Sequence, residues 1–181
     1  MVICVYGAAN EKIDPRFIAA GENLGEEIAK RRHTLVFGGG ASGLMGAVAR
    51  GVTRKSGKMK SIVPSFFNVD GVLYDKSDEI IYTETMRERK KILEDSSDAF
   101  VVTPGGIGTF DEFFEMLTLS HLGISKKPIA VLNTLNYFDP LIDMLQQCKE
   151  KGFLRDDTLN YFAVFENETD LLDYLEKETL N

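Results

Sequence analysis

This chain has few of the residues that metal centres, disulfide scaffolds and membrane spans are built from. It has two cysteines in 181 residues, Cys4 and Cys148. Neither belongs to a CxxC pair, which excludes a disulfide framework and a thiolate metal site. Histidine is equally scarce, with only His33 and His121, and no His/Asp/Glu grouping has metal-ligand spacing. No run approaches the roughly 18 apolar residues of a membrane span, and MVICVYG at the start lacks the basic and apolar regions of a secretory leader. These absences point to a reducing cytoplasm. Positive charge is also short, with 21 Lys and Arg against 28 Asp and Glu and a formal net charge of −7. A polymeric nucleic acid calls for a basic surface and is therefore disfavoured as a partner. A small anion is still allowed, because a few cations and backbone amides can bind one inside an acidic protein. GxxxxGK[ST] and G-x-S-x-G are both missing, so ATPase and serine-triad chemistry lack support.

Hydrophobic residues make up 44% of the chain, enough for a sizeable core in a single domain spanning 1–181. Short apolar runs alternate with longer amphipathic stretches. Strands are expected at Val2–Tyr6, Thr34–Phe37, Lys60–Val63, Ile80–Thr83, Ala99–Thr103, Ile129–Leu132 and Phe162–Phe165. Helices are expected near 15–32, 43–55, 85–96, 109–122, 138–151 and 168–177. That alternation gives a Rossmann-like α/β fold, a parallel sheet with helices on both faces. The segment 64–79 is the one long irregular connection, of a length that in compact domains is either functional or simply poorly ordered.

Two glycine-rich loops follow strands and open helices. In VFGGGASGLMG, Gly38, Gly40 and Gly43 fit the dinucleotide pattern G-x-G-x-x-G. That pattern requires an acid at the end of the next strand to hold a ribose. Here the next strand reads KSIVPSF, so NAD is disfavoured, and the glycines could equally serve a tight turn and close helix packing. The second loop, Pro104 to Thr109, ends an apolar strand and starts a helix. Glycines permit close approach of backbone N–H groups, and a helix N-terminus favours an anion, so this loop suits a phosphate. Glu112 lies one turn beyond. Thr109 to Glu112 also has capping-box spacing, which would turn Glu112 back onto the Thr109 amide.

Upstream, Thr85 to Glu88 has capping-box spacing and starts another helix. At 100° per residue Met86, Ile92 and Leu93 form its apolar stripe and Arg89 falls within it, while Arg87 and Lys91 point to solvent. A charge on a core-facing stripe needs a partner or a ligand. The helix after the second loop carries one stripe of Phe110, Phe113, Phe114 and Leu117. Met116, Leu119 and Leu122 make another, as expected of a helix deep in a core or at a subunit interface. His33 follows a helix end and is expected to be structural; His121 is expected to pack or lie at the surface.

Met86-Arg87-Glu88-Arg89-Lys90 followed by Pro104-Gly105-Gly106-Ile107-Gly108-Thr109-Phe110-Asp111-Glu112 resembles the paired signature of the Lonely-guy family. These are cytokinin riboside 5′-monophosphate phosphoribohydrolases, long labelled lysine decarboxylases. GGGASGLMG, KPIAVLN, NYFDPL and the KGF stretch fall in the family's order. The resemblance implies a Rossmann-like homodimer that hydrolyses the N-glycosidic bond of an adenine-type nucleoside 5′-monophosphate without a cofactor. It implies Arg89 and Glu112 as the catalytic pair. Substrate contacts would come from Lys90, Gly105, Gly106, Ile107, Gly108, Thr109, Asp111 and Thr118, with Gly39, Gly40 and Met86. Three departures touch the pocket rim and bear on base preference. Gly7-Ala8-Ala9-Asn10 replaces a common Cys-Gly-Ser turn, Leu119 a common aromatic, and His121 sits near a usual Gln. The alternative class is a non-catalytic carrier similar to molybdenum-cofactor carriers, which would need the phosphate loop but not Glu112.

Overall fold

The computed structural model describes residues 1–67 and 71–180. Seven strands form one parallel sheet: β1 (Val2–Tyr6), β2 (Thr34–Phe37), β3 (Lys58–Pro64), β4 (Glu79–Thr83), β5 (Ala99–Val102), β6 (Ile129–Leu132) and β7 (Ala163–Phe165). Their spatial order is β4-β3-β2-β1-β5-β6-β7. The chain builds outward from β1 to β4, then crosses to the other side of β1 to start β5. That reversal separates the loops leaving β1 and β5 and opens a crevice at the carboxyl ends of the strands, where α/β sheets bind ligands.

Among the described residues six α-helices cover the sheet: α1 (Pro15–Lys30), α2 (Gly43–Arg54), α3 (Met86–Asp95), α4 (Ile107–His121), α5 (Asp139–Glu150) and α6 (Glu168–Thr179). Because side chains alternate along a strand, β1 sends Ile3 and Val5 to a core shared with α1, α2 and α6. Cys4 and Tyr6 enter the core under α3, α4 and α5. Cys4 is fully buried and its thiol is pushed up to about 12, so it acts as a packing residue. Helix starts follow local chemistry: Asp14 accepts from the Arg16 amide ahead of Pro15, and Asn167 accepts from the Asp170 amide.

Both ends of β3 and β4 lie within two residues of expectation. The segment 64–79, expected as an irregular connection, is partly ordered by pairing. It contains a short 3-10 helix at Ser65–Phe67 and an antiparallel bridge between Leu73 and Gly40. The Ala41 amide donates to the Val72 carbonyl at 2.9 Å and the Tyr74 amide to that of Gly39 at 2.9 Å. This strap therefore lies over the first glycine loop. Residues 68–70 of that segment fall outside the described residues.

Helices α1 and α2 pack at glycine contacts. A Cβ on Gly25 would overlap the Val48 carbonyl oxygen, with the Val48 carbonyl carbon and the Val52 nitrogen both at 2.9 Å. Backbone cannot swing aside as a side-chain tip can. Gly25→Ala is thus expected to destabilise the fold by about 1–3 kcal/mol in chemical denaturation; an unchanged midpoint would refute this packing. His33 sits just beyond α1 with Nε2 2.8 Å from Glu176 on α6, the structural role expected of it. Burial holds its imidazole below the ordinary histidine range.

Candidate active site

Strands β1, β2 and β5 deliver three loops to the same end of the sheet. A cavity of about 310 Å³ opens there, lined by Gly7, Gly38, Gly40, Arg89 and Glu112, with Val5, Tyr6, Met45, Phe67, Val72 and Leu73 among its apolar walls. The strap supplies Phe67, Val72 and Leu73. Its volume falls at the low end of small-molecule sites. A larger cavity of about 530 Å³ beside His121, Lys126 and Pro128 opens where β6 begins, away from these loops.

Thr85 caps α3 as expected: its hydroxyl accepts from the Glu88 amide at 3.1 Å, and the Glu88 carboxylate accepts from the Glu84 amide at 2.8 Å. This start sets the rotation of α3 and turns Arg89 inward, its side chain only 13% exposed. Arg89 Nε donates to the Ile62 carbonyl on β3 at 3.1 Å, and one terminal nitrogen donates to Glu112 Oε1 at 3.2 Å. The inward arginine read from the helical wheel is therefore paired. Met86 differs from that reading. It is the first residue of α3, beyond the edge of the core, and is 40% exposed.

The second glycine loop starts its helix two residues earlier than expected. Gly106, in extended backbone, is the N-cap of α4 without a side-chain cap bond, and Ile107 is the first helical residue. Thr109 is consequently inside the first turn and is buried; it is not the cap. Glu112 thus makes no capping box and turns to Arg89, 12% exposed. Burial raises its carboxyl to about 7, the Arg89 charge opposing that rise and the Asp111 charge adding to it. A carboxylate poised near neutrality suits proton transfer.

The other residues singled out by sequence divide into three groups. Gly40 lines the cavity, while Gly39, at φ 78°, turns its α-carbon toward Ser61 and Val63 on β3. Gly105 and Gly106 line a smaller cleft of about 220 Å³ with Ala8, Phe17 and Tyr137, and Ile107 and Gly108 are exposed beside it. The Tyr137 hydroxyl donates to the Gly105 carbonyl at 2.6 Å and so fixes the loop. Lys90, Asp111 and Thr118 line an open groove on the outer side of α3 and α4, with Glu115 and Leu119. There Lys90 pairs with Asp111 and Glu115, each at 3.1 Å. Leu122, on the second expected stripe of α4, is 62% exposed at the end of the helix.

Sequence reasoning missed the Ile62 carbonyl and the aromatic pair Phe17 and Tyr137, and it singled out the strap's segment without naming Phe67, Val72 or Leu73. The first is a backbone group with no sequence signal. The others are ordinary apolar residues until the fold brings them to the crevice.

Comparison with known proteins places this geometry in context. A family model described as "Possible lysine decarboxylase" matches residues 45–175. A cytokinin riboside 5′-monophosphate phosphoribohydrolase of Mycobacterium tuberculosis is 37% identical over 94% of this chain and 90% of its own length. One from Arabidopsis thaliana is 30% identical over 96% of this chain and 76% of its own. Among solved structures, the molybdenum cofactor binding protein from Rippkaea orientalis superposes with a TM-score of 0.75 at 21% identity, covering 97% of this chain and 95% of that one. That likeness is one of fold. The sequence matches extend through both motif segments and nearly the whole sheet, and on them the chain belongs to the Lonely-guy family.

Proposed function

We propose that this protein is a nucleoside 5′-monophosphate phosphoribohydrolase, which hydrolyses the N-glycosidic bond of an adenine-type nucleotide to free base and ribose 5-phosphate. The observation that carries this reading is the Arg89–Glu112 pair at 3.2 Å, held in a cavity beside a helix N-terminus that carries no side-chain cap. The phosphate is held by the first-turn amides of α4 at Gly106, Ile107 and Gly108. Cleavage of the bond develops an oxocarbenium-like charge at C1′, which the Glu112 carboxylate stabilises. Ionised Glu112 takes a proton from the attacking water while the bonding electrons leave with the base, which takes a proton from solvent. Arg89 opposes the rise that burial imposes on Glu112, so that a substantial fraction of it is ionised near neutral pH, and orients it.

The whole chain acts as one nucleotide-binding domain in this reading. The outer face of α4, with Leu119, Leu122 and neighbouring Ile124, meets a second copy in a homodimer, which brings Lys90, Asp111 and Thr118 to the rim of the site. Among the described residues no helix is long and apolar enough to cross a membrane, and both cysteines are free. The cytoplasm is the proposed compartment.

Chromatography of wild-type reactions with AMP and with isopentenyladenosine 5′-monophosphate tests the proposal. Free base and ribose 5-phosphate should appear in equal amounts, and the faster substrate identifies the preferred base. Binding of both nucleotides with no base released would replace the enzyme by the carrier.

A further inference from the structure

The first glycine loop has the spacing of a dinucleotide cradle, yet most of its glycines are packed against the protein itself, Gly40 on the cavity wall excepted. Gly43, at φ 59°, lies against the carbonyl oxygens of Ala8 and Asn10, and Gly46 against that of Ala41. Gly38 is different. Its φ is not in the left-handed region, so backbone conformation does not demand glycine there. What demands it is space: a Cβ on Gly38 would overlap the second terminal nitrogen of Arg89, with Cζ at 3.2 Å and Nε at 3.8 Å. All three nearest atoms belong to that guanidinium.

We propose that Gly38 is a positioning residue for Arg89, its missing side chain forming the seat in which the guanidinium lies between β2, the Ile62 carbonyl and Glu112. Each part of the guanidinium is then held by a different element. Nε is tied to β3 through Ile62, one terminal nitrogen to α4 through Glu112, and the other rests on the bare α-carbon of β2's terminal loop. A planar, five-donor cation needs such a fixed frame to act as a directed donor, and a cation on a flexible stem gains direction only from its seat. Within the loop's dinucleotide-like spacing, the first glycine is thereby assigned to an internal arginine.

This inference rests on the proposed glycosidase for its catalytic consequence, but the seat can be tested without turnover. The atoms that a new methyl group would displace are the far end of a flexible side chain, so Gly38→Ala is expected to fold with an almost unchanged melting temperature at pH 4. Arg89 must swing out, and its charge then holds Glu112 down less. Glu112 is faced by Arg89 and Lys90 from α3, by Asp111 on its own helix, and by the Tyr6 phenol and Cys4 thiol from β1. Of these, the substitution moves Arg89 alone. The carboxyl should therefore titrate at higher pH in Gly38→Ala, read as a fall in melting temperature that begins at the same pH as in wild type but continues to higher pH and is deeper.

In catalysis, displacement of a reacting group by about 1 Å is expected to lower kcat about 100-fold. The decisive comparison is a double-mutant cycle with Arg89→Lys, whose single nitrogen leaves room at the seat. Gly38→Ala should cost little in that background, whereas an independent role for Gly38 would cost the same in both. An equal loss in both backgrounds, or a pH-dependent melting curve that does not move, overturns the seat. If wild type releases no base while the melting curve shifts as expected, the seat stands and the glycosidase reading falls.

Discussion

Glu112→Gln is expected to be inactive and yet more stable than wild type above neutral pH. The two effects have one cause. Glu112 lies among apolar neighbours with a single arginine on it, and its carboxyl is raised from 4.5 to about 7. The fold therefore favours the protonated carboxyl. A group raised in this way stabilises the protein below its unfolded pKa, and that contribution is lost as pH rises through the folded one. Between pH 4 and pH 8 the wild type gives up about 3 kcal/mol through this one group, at about 1.4 kcal/mol per unit. Glutamine imitates the protonated form, fills the same space and still accepts a hydrogen bond from Arg89. The variant and wild type should thus melt together at pH 4 and separate by pH 8, with the variant higher. A gap that does not change with pH would mean that Glu112 is not held in the raised state.

The catalytic half of that result follows from the same placement. Glutamine can neither take a proton from water nor oppose positive charge at C1′, so base release should fall by about 100- to 10,000-fold. In wild type, kcat/KM should rise with pH through about 7, because the ionised carboxylate is the active form. A profile that instead falls through pH 7 would make Glu112 the proton donor to the leaving base. Stability sacrificed at a reacting group is a common feature of active sites.

How much of this was legible in sequence varied with the kind of interaction. Strand and helix positions follow from apolar periodicity, a local property, and they survive in the fold with small boundary shifts. Arg89 was legible because a helical wheel reports the face of an interior residue. The same wheel misplaced Met86, since a first helical residue projects past the sheet that would cover it. Thr109 looked like a cap because Thr-x-x-Glu spacing is a pattern of side chains. The real start is set by the backbone of Gly106, which carries no side-chain signal. Contacts between distant elements were the least legible. Nothing near Arg89 in sequence announces the Ile62 carbonyl 27 residues upstream or the bare α-carbon of Gly38. The strap lies over the site through backbone pairing between Leu73 and Gly40, which residue identity alone does not specify.

The glycines of the second loop lead to a result of the opposite kind, in which binding fails and the fold does not. Gly105 is required by the protein: a Cβ there would overlap Thr109 Oγ1 and come within 3.0 Å of the Ala8 amide nitrogen. Gly106 and Gly108 are not. A Cβ on either meets nothing within 4 Å, and neither has a left-handed φ. Gly108 even lies in the first turn of α4, where glycine is less favourable than alanine, by less than the ~1 kcal/mol of a helix interior. A residue that costs helix stability and clears no protein atom points to a ligand that approaches the backbone there, as a phosphate does at a helix N-terminus. Gly108→Ala should therefore raise thermal stability slightly and weaken nucleotide binding. The size of the loss depends on the phosphate, so a monophosphate and its nucleoside should be compared directly. With about 2 kcal/mol of charge-assisted hydrogen bonding lost, KM for the monophosphate rises about 30-fold. The nucleoside, having no phosphate to displace, should bind the variant and wild type alike. Equal weakening of both ligands would move the anion away from α4, and lower stability with unchanged KM would return Gly108 to a purely structural role.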